Sequence, residues 1–263
     1  MPELDIPRDR WGRPLIVPAH GGKPEPYTRI STMAKTLDDK TALAKWMCRQ
    51  TAIGMARRSD LVALVGSQDP ENKKVIGDAV EQAMEAAKSS AAANIGTTLH
   101  SLTEAWDQGF FDDAFATPEL KADIEAYGCA TKDIKVEASE VFVVVDELKV
   151  AGTFDRIVTL PDGRRMVADI KTGQNEPKYP HGATTQIAMY SRGTMYHPEH
   201  GRTKPLPELH VSQTEGLLIH LPAGQARCDL YIVDLTIGWA LATVAAKVRE
   251  MQKIKPLSPY APE

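Results

Sequence analysis

Two acids and a lysine stand where they could do chemistry together. Asp155 lies in Gly152-Thr153-Phe154-Asp155-Arg156, and Asp169 and Lys171 lie in Met166-Val167-Ala168-Asp169-Ile170-Lys171-Thr172-Gly173. Both runs are β-type and flank Pro161-Asp162-Gly163, so they read as an antiparallel hairpin. Each strand carries its acid near the end away from the turn, which brings Asp155 and Asp169 side by side. Two carboxylates that close repel unless a proton or a cation sits between them, and a hard divalent ion bound through oxygen resolves the conflict. Lys171 follows Asp169 by two residues and points to the same face of a strand. An ammonium there can hold or activate a water, the arrangement a phosphodiester hydrolase needs. Taken singly, Asp155 also fits a turn or cap, and Arg156 fits a partner of some other acid. Asp169 interrupts an apolar run where an unpaired charge is costly, and a structural salt bridge to Lys171 is its alternative.

Two helical pairs sit in the same order along the chain. Gln186 and Tyr190 are four apart in Ala183-Thr184-Thr185-Gln186-Ile187-Ala188-Met189-Tyr190 and share a helix face. His100 and Glu104 have the same spacing in Ile95-Gly96-Thr97-Thr98-Leu99-His100-Ser101-Leu102-Thr103-Glu104. The ordered set Gly-x-x-x-His-x-x-x-Glu, Gly-x-x-Asp-Arg, Asp-Ile-Lys-Thr-Gly and Gln-x-x-x-Tyr, spread over residues 94 to 235, resembles the RecB-type nucleases of the PD-(D/E)XK superfamily.

The resemblance implies an α/β fold, a mixed sheet flanked by helices, and a deoxyribonuclease dependent on Mg²⁺ or Mn²⁺. On it, Asp155, Asp169, the Ile170 carbonyl and His100 hold the ion, and Glu104 orients His100 or the bound water. Lys171 positions the water, while Gln186 and Tyr190 orient Lys171 or the substrate strand. The favoured form is an exonuclease acting on DNA that is single-stranded or has a free end, in recombination, repair or replication. No helicase motif is present, so any unwinding falls to a separate helicase or recombination protein, or the substrate is already single-stranded or an open end. The alternatives are a structure-specific endonuclease, and a nucleic-acid-binding or scaffold module on an inactive nuclease fold. The latter would show a lost acid or lysine, and none is lost. A nucleotide phosphohydrolase is disfavoured because no Gly-rich phosphate loop appears.

Composition agrees with an ordinary globular chain: 263 residues, 43% hydrophobic and 25% charged. No apolar run reaches transmembrane length and the start lacks the regions of a signal peptide, so the expected setting is cytoplasmic, away from the membrane. The net charge of −4 leaves DNA binding to a local patch. Arg49, Arg57 and Arg58 are candidates to touch a nucleic-acid backbone, with a solvated helix face as the alternative. Cys48, Cys129 and Cys228 read as reduced, buried thiols. Some RecB-type relatives carry a four-cysteine iron–sulfur cluster, and three scattered cysteines predict none here.

Four regions are expected: an irregular arm at 1–30, a helical region at 31–130 that includes the His100 helix, the nuclease core at 131–255, and a tail at 256–263. Helices are predicted over 36–58, from an Asp69-Pro70 start to Ser90, through His100 and Glu104 to Gly109, and over 118–129. Strands follow at 136–145, 150–160 and 165–171, then a helix at 182–195, strands at 217–220 and 230–233, and a last helix at 236–252. Glu140 reads as a strand-edge charge or an additional acid near the site. His197-Pro198-Glu199-His200 reads as a loop rather than a metal site.

Overall fold

The computed structural model describes residues 5–88 and 91–257. The expected break near Ser89-Ser90, the first residues of the arm and most of the tail lie outside the described residues. In chain order the elements are β1 (Leu15–Ile16), β2 (Glu25–Pro26), β3 (Thr28–Arg29), α1 (Ile30–Ala34), α2 (Thr41–Arg57), α3 (Ser59–Gly66), α4 (Lys73–Ala86), α5 (Ala91–Asp107) and α6 (Pro118–Thr131). Then come β4 (Lys135–Val145), β5 (Val150–Thr159), β6 (Arg165–Lys171), α7 (His181–Ser191), β7 (Thr194–His197), β8 (Gly201–Pro205), β9 (Glu215–His220), β10 (Asp229–Asp234) and α8 (Leu235–Met251). The chain divides into two units, Asp38–Ser101 and the remainder, so the helical region expected over 31–130 is shared between them.

The larger unit is a mixed sheet with helices, as the sequence implies. Its strands run β10-β9-β6-β5-β4-β7-β8, with β3 pairing parallel to β5. Alternation along β4 separates two cores. Val143 and Val145 join Phe154, Val167, Ile187, Met189 and Leu235 in one, while Phe142 and Val144 join Ile6, Ile16, Tyr27 and Tyr196 in the other. The Pro- and Gly-rich arm, expected to be irregular, therefore supplies buried side chains to the second of these cores. The arm is also tied by Arg202, which donates to the Val17 carbonyl at 2.6 Å and pairs with Asp146, itself the acceptor of the Tyr27 hydroxyl at 2.7 Å.

In the smaller unit, Leu61, Ala79 and Ala83 are buried together with Met55, Leu64 and Val65 packed on them. Helices α2 and α4 meet at Gly54, where a Cβ would stand 1.7 Å from the Ala83 carbonyl oxygen, so only glycine admits that crossing.

Several boundaries differ from the sequence reading. The helix expected over 36–58 starts at Thr41, because Asp39 Oδ1 accepts from Thr41 N–H at 2.8 Å and closes a turn ahead of it. Asp69 caps no helix. Its carboxylate accepts from Glu71 N–H at 2.9 Å in a turn, and α4 begins after Asn72, whose side chain takes the Val75 N–H. Helix α3 was not expected. Helix α7 stops at Ser191 rather than 195, since Gly193 approaches Val143 so closely that a Cβ would sit 2.7 Å from the Val143 Cβ, and Thr194–His197 joins the sheet. Cys48 and Cys129 are exposed and Cys228 half-buried, so the thiols are not the buried set expected. The His197–His200 segment is the turn between β7 and β8, where His197, Glu199 and His200 ligand atoms come within 4.8 Å of one another. No described helix is long and apolar enough to cross a membrane.

Candidate active site

The β5–β6 hairpin is closed by a turn in which Gly163, at φ +86°, donates to the Leu160 carbonyl at 2.9 Å. Its ladder pairs Thr159 with Arg165 and ends with Arg156 opposite Ala168. One step further along that register stands Asp155 opposite Asp169. The ladder opens here because the Asp155 carboxylate itself accepts the Ile170 N–H at 2.7 Å. Asp169 is buried, and Lys171 Nζ lies 2.5 Å from its Oδ2, off the direction of a hydrogen bond, leaving that buried oxygen with no hydrogen-bond partner. Burial, opposed by Lys171 and aided by Asp155, pushes the Asp169 carboxyl up to about 6. Burial works against the Lys171 ammonium, yet Asp169 and Asp155 hold its pKa above the ordinary value.

Helix α7 brings Gln186 and Tyr190 to the same place. Gln186 Nε2 donates to the Tyr190 hydroxyl at 3.1 Å, and the Tyr190 ring meets Phe154 edge-on at 5.9 Å. Burial, then the charges of Asp169 and Asp155, raises the Tyr190 pKa, so its hydroxyl stays protonated.

Glu140 stands in register with the Asp155–Asp169 pair. The β4–β5 ladder pairs Ser139 with Arg156 and Val141 with Phe154, which sets Glu140 opposite Asp155 in a gap between them. Glu140, Asp155 and Asp169 thus form one row across three adjacent strands. The row is reached with Glu140 at φ +51°, a left-handed conformation that no sequence pattern announces in a run of β-type residues.

Glu104 accepts from Gln108 Nε2 at 2.9 Å, and its helix is anchored on β5 by its neighbours. Arg156, 1% exposed, donates to Asp107 at 2.5 Å and to Thr103 Oγ1 at 2.9 Å, and Tyr127 donates to the same Asp107 carboxylate at 2.8 Å. Arg156 is therefore a fastening between α5 and β5. His100 belongs to the Asp38–Ser101 unit, as do Arg49, Arg57 and Arg58. Arg58 is paired with Asp60 at 2.6 Å and Arg57 donates to the Ala86 carbonyl at 3.0 Å, so both make contacts within their own unit.

The donors fit a hard divalent ion: two adjacent carboxylates with one ammonium, a third acid in the row, and a buried carboxylate oxygen lacking a hydrogen bond. The sequence model of the PD-(D/E)XK nuclease superfamily matches residues 49–213, more than half of the chain. The chain belongs to that superfamily. Membership makes it a nuclease, a hydrolase of nucleic acid that works with a divalent metal. Among solved structures, the crystal structure of SSO0001 matches with 16% identity, covering 60% of this chain and 74% of its own, at a TM-score of 0.27. No curated protein matches.

Proposed function

We propose that this PD-(D/E)XK nuclease is a RecB-type exonuclease that degrades DNA from a free end. The observation that carries the reading is the meeting of Asp155, Asp169 and Lys171 where the β5–β6 ladder opens. Asp155, Asp169 and the Ile170 carbonyl would hold Mg²⁺ or Mn²⁺, which supplies polarisation of the scissile phosphate and a more acidic bound water. Lys171 stays protonated, positions the attacking water and offsets the negative charge that grows on the phosphate. Tyr190, steadied by Gln186, presents a neutral hydroxyl to the same space. The roles expected for His100 and Glu104 rest on the ordered motifs alone, as does the preference for ends.

Digestion of end-labelled single-stranded DNA tests the reading. With Mn²⁺, linear strands should disappear rapidly and closed circles of the same sequence very slowly. Equal initial rates would mean an endonuclease, and full activity in excess EDTA would overturn the metal reading.

Asp169→Asn is expected to weaken Mn²⁺ binding at least ~10-fold by calorimetry, because it removes one of two charged donors. Unchanged affinity would take Asp169 out of the ligand set.

A further inference from the structure

One turn of the arm, Arg8-Asp9-Arg10-Trp11-Gly12-Arg13, has no part in the roles above. It is firmly shaped. Asp9 Oδ1 accepts from Trp11 N–H at 3.0 Å and Arg13 N–H at 2.9 Å, Asp9 Oδ2 accepts from Arg13 Nε at 2.7 Å, and Gly12 takes φ +72°. On this turn Trp11 is 62% exposed, with the Arg10 guanidinium 3.9 Å from its ring centroid and that of Arg13 at 5.0 Å. The Arg10 guanidinium already lies over one face of the ring, so a base stacking on Trp11 would replace that cation or cover the ring area still open to water.

The same turn borders a cavity of about 320 Å³ whose walls include Arg8, Arg29, Ser31, Gly152, Thr153 and Tyr190. No acidic side chain lines it, and neither Arg8 nor Arg29 forms an ion pair among the described residues. Two guanidiniums on a small polar pocket are suited to an oxyanion such as phosphate. Gly152 keeps the floor low, since a Cβ there would already touch Ile30 and Tyr190 at 3.4 Å. The pocket shares Tyr190 with the candidate site, and Thr153 precedes Asp155 by two residues, about 7 Å along the strand. An anion held there is within the reach of a nucleotide neighbouring the one at Asp155.

The geometry points to a substrate-strand subsite built by the arm: Arg8 and Arg29 hold a phosphate of single-stranded nucleic acid, and Trp11 stacks an unpaired base. This rests on the nuclease reading and adds to it a requirement for unpaired bases, since a base within a duplex is not free to stack on an indole. Global net charge gives no hint of the subsite, because the cations are concentrated in one turn and one strand.

The test is binding of a fluorescent 12-nucleotide DNA strand in EDTA, where hydrolysis and metal bridging are absent, across a series of salt concentrations. Arg8→Ala and Arg29→Ala should each weaken binding and flatten the logarithmic salt dependence by about 0.7, the loss of one phosphate contact to a single strand. Trp11→Ala should weaken binding about tenfold with the slope unchanged, and Trp11→Phe should restore most of it. All three side chains are exposed, so melting temperatures should match the wild type. Strands with a 5′-phosphate, a 5′-hydroxyl or a 3′-phosphate separate the sources. A slope change confined to one phosphorylated end supports a terminal phosphate, and a change in all three supports an internal one. Wild-type affinity and slope in both arginine variants would overturn the phosphate pocket, and wild-type affinity in Trp11→Ala would overturn the stacking. A wild-type protein that neither binds nor cleaves any strand would instead sink the nuclease reading beneath both.

Discussion

Lys171→Ala should lower turnover at least ~10²-fold while metal binding survives. The lysine stands 2.5 Å from Asp169, and the neighbouring carboxylates keep its pKa above the ordinary value. A group so firmly protonated at neutral pH is a poor general base, which leaves positioning of water and stabilisation of developing phosphate charge as its contribution. Removing the ammonium also removes a cation from beside two carboxylates. Mn²⁺ affinity should therefore hold or rise, since the repulsion between like charges at this distance is lost. Single-turnover cleavage and calorimetry on the same preparation check both halves. Near-normal cleavage would remove Lys171 from the mechanism, and a collapse of Mn²⁺ affinity would make it a structural prop of Asp169.

Asp107→Ala should destabilise the fold by about 3–5 kcal/mol, the usual cost of leaving one member of a buried ion pair unpaired. Arg156 is 1% exposed and forms a buried ion pair with Asp107. The same carboxylate takes the hydroxyl of Tyr127, a fully buried ring, so its loss strands a second polar group. At about 2–4 °C per kcal/mol for a chain of this order of size, the melting temperature should fall by about 6–20 °C. A paired replacement of Asp107 by Leu and Arg156 by Met should recover much of the loss, because the buried charge disappears with its partner. Thermal melts of the single and double variants decide the matter. A single variant that melts with the wild type would mean that Arg156 finds water or another acid.

The hairpin that holds Asp155 and Asp169 was legible because a Pro-Asp-Gly turn sets its own register, and two acids equidistant from it must then meet. Lys171 followed from strand periodicity, and the Gln186–Tyr190 pair from helical periodicity. Glu140 resisted because its place depends on the register of β4 against β5 and on a left-handed residue inside a strand. The arm resisted for a different reason. Two-residue strands leave no periodic trace, and a Pro- and Gly-rich stretch looks irregular even when Ile6, Ile16 and Tyr27 are buried by partners more than a hundred residues away. Helix α7 ends short of the expected boundary where Ser191-Arg192-Gly193-Thr194 interrupts the apolar pattern and Gly193 packs closely on Val143.

That arm has a consequence for how the molecule is made. Its strand β3 pairs Thr28 with Val150 and Arg29 with Ala151, so its partner is synthesised more than a hundred residues later. At about 5–20 residues per second, a ribosome needs some seconds to bridge that interval. Arg202, which ties the arm to Asp146, comes later still. The arm therefore leaves the ribosome well before its seat exists, and the loop closed by that pairing carries an entropic cost that is incurred only once both partners are made. Arg29, part of the pocket wall, therefore cannot take its place before Ala151 is made.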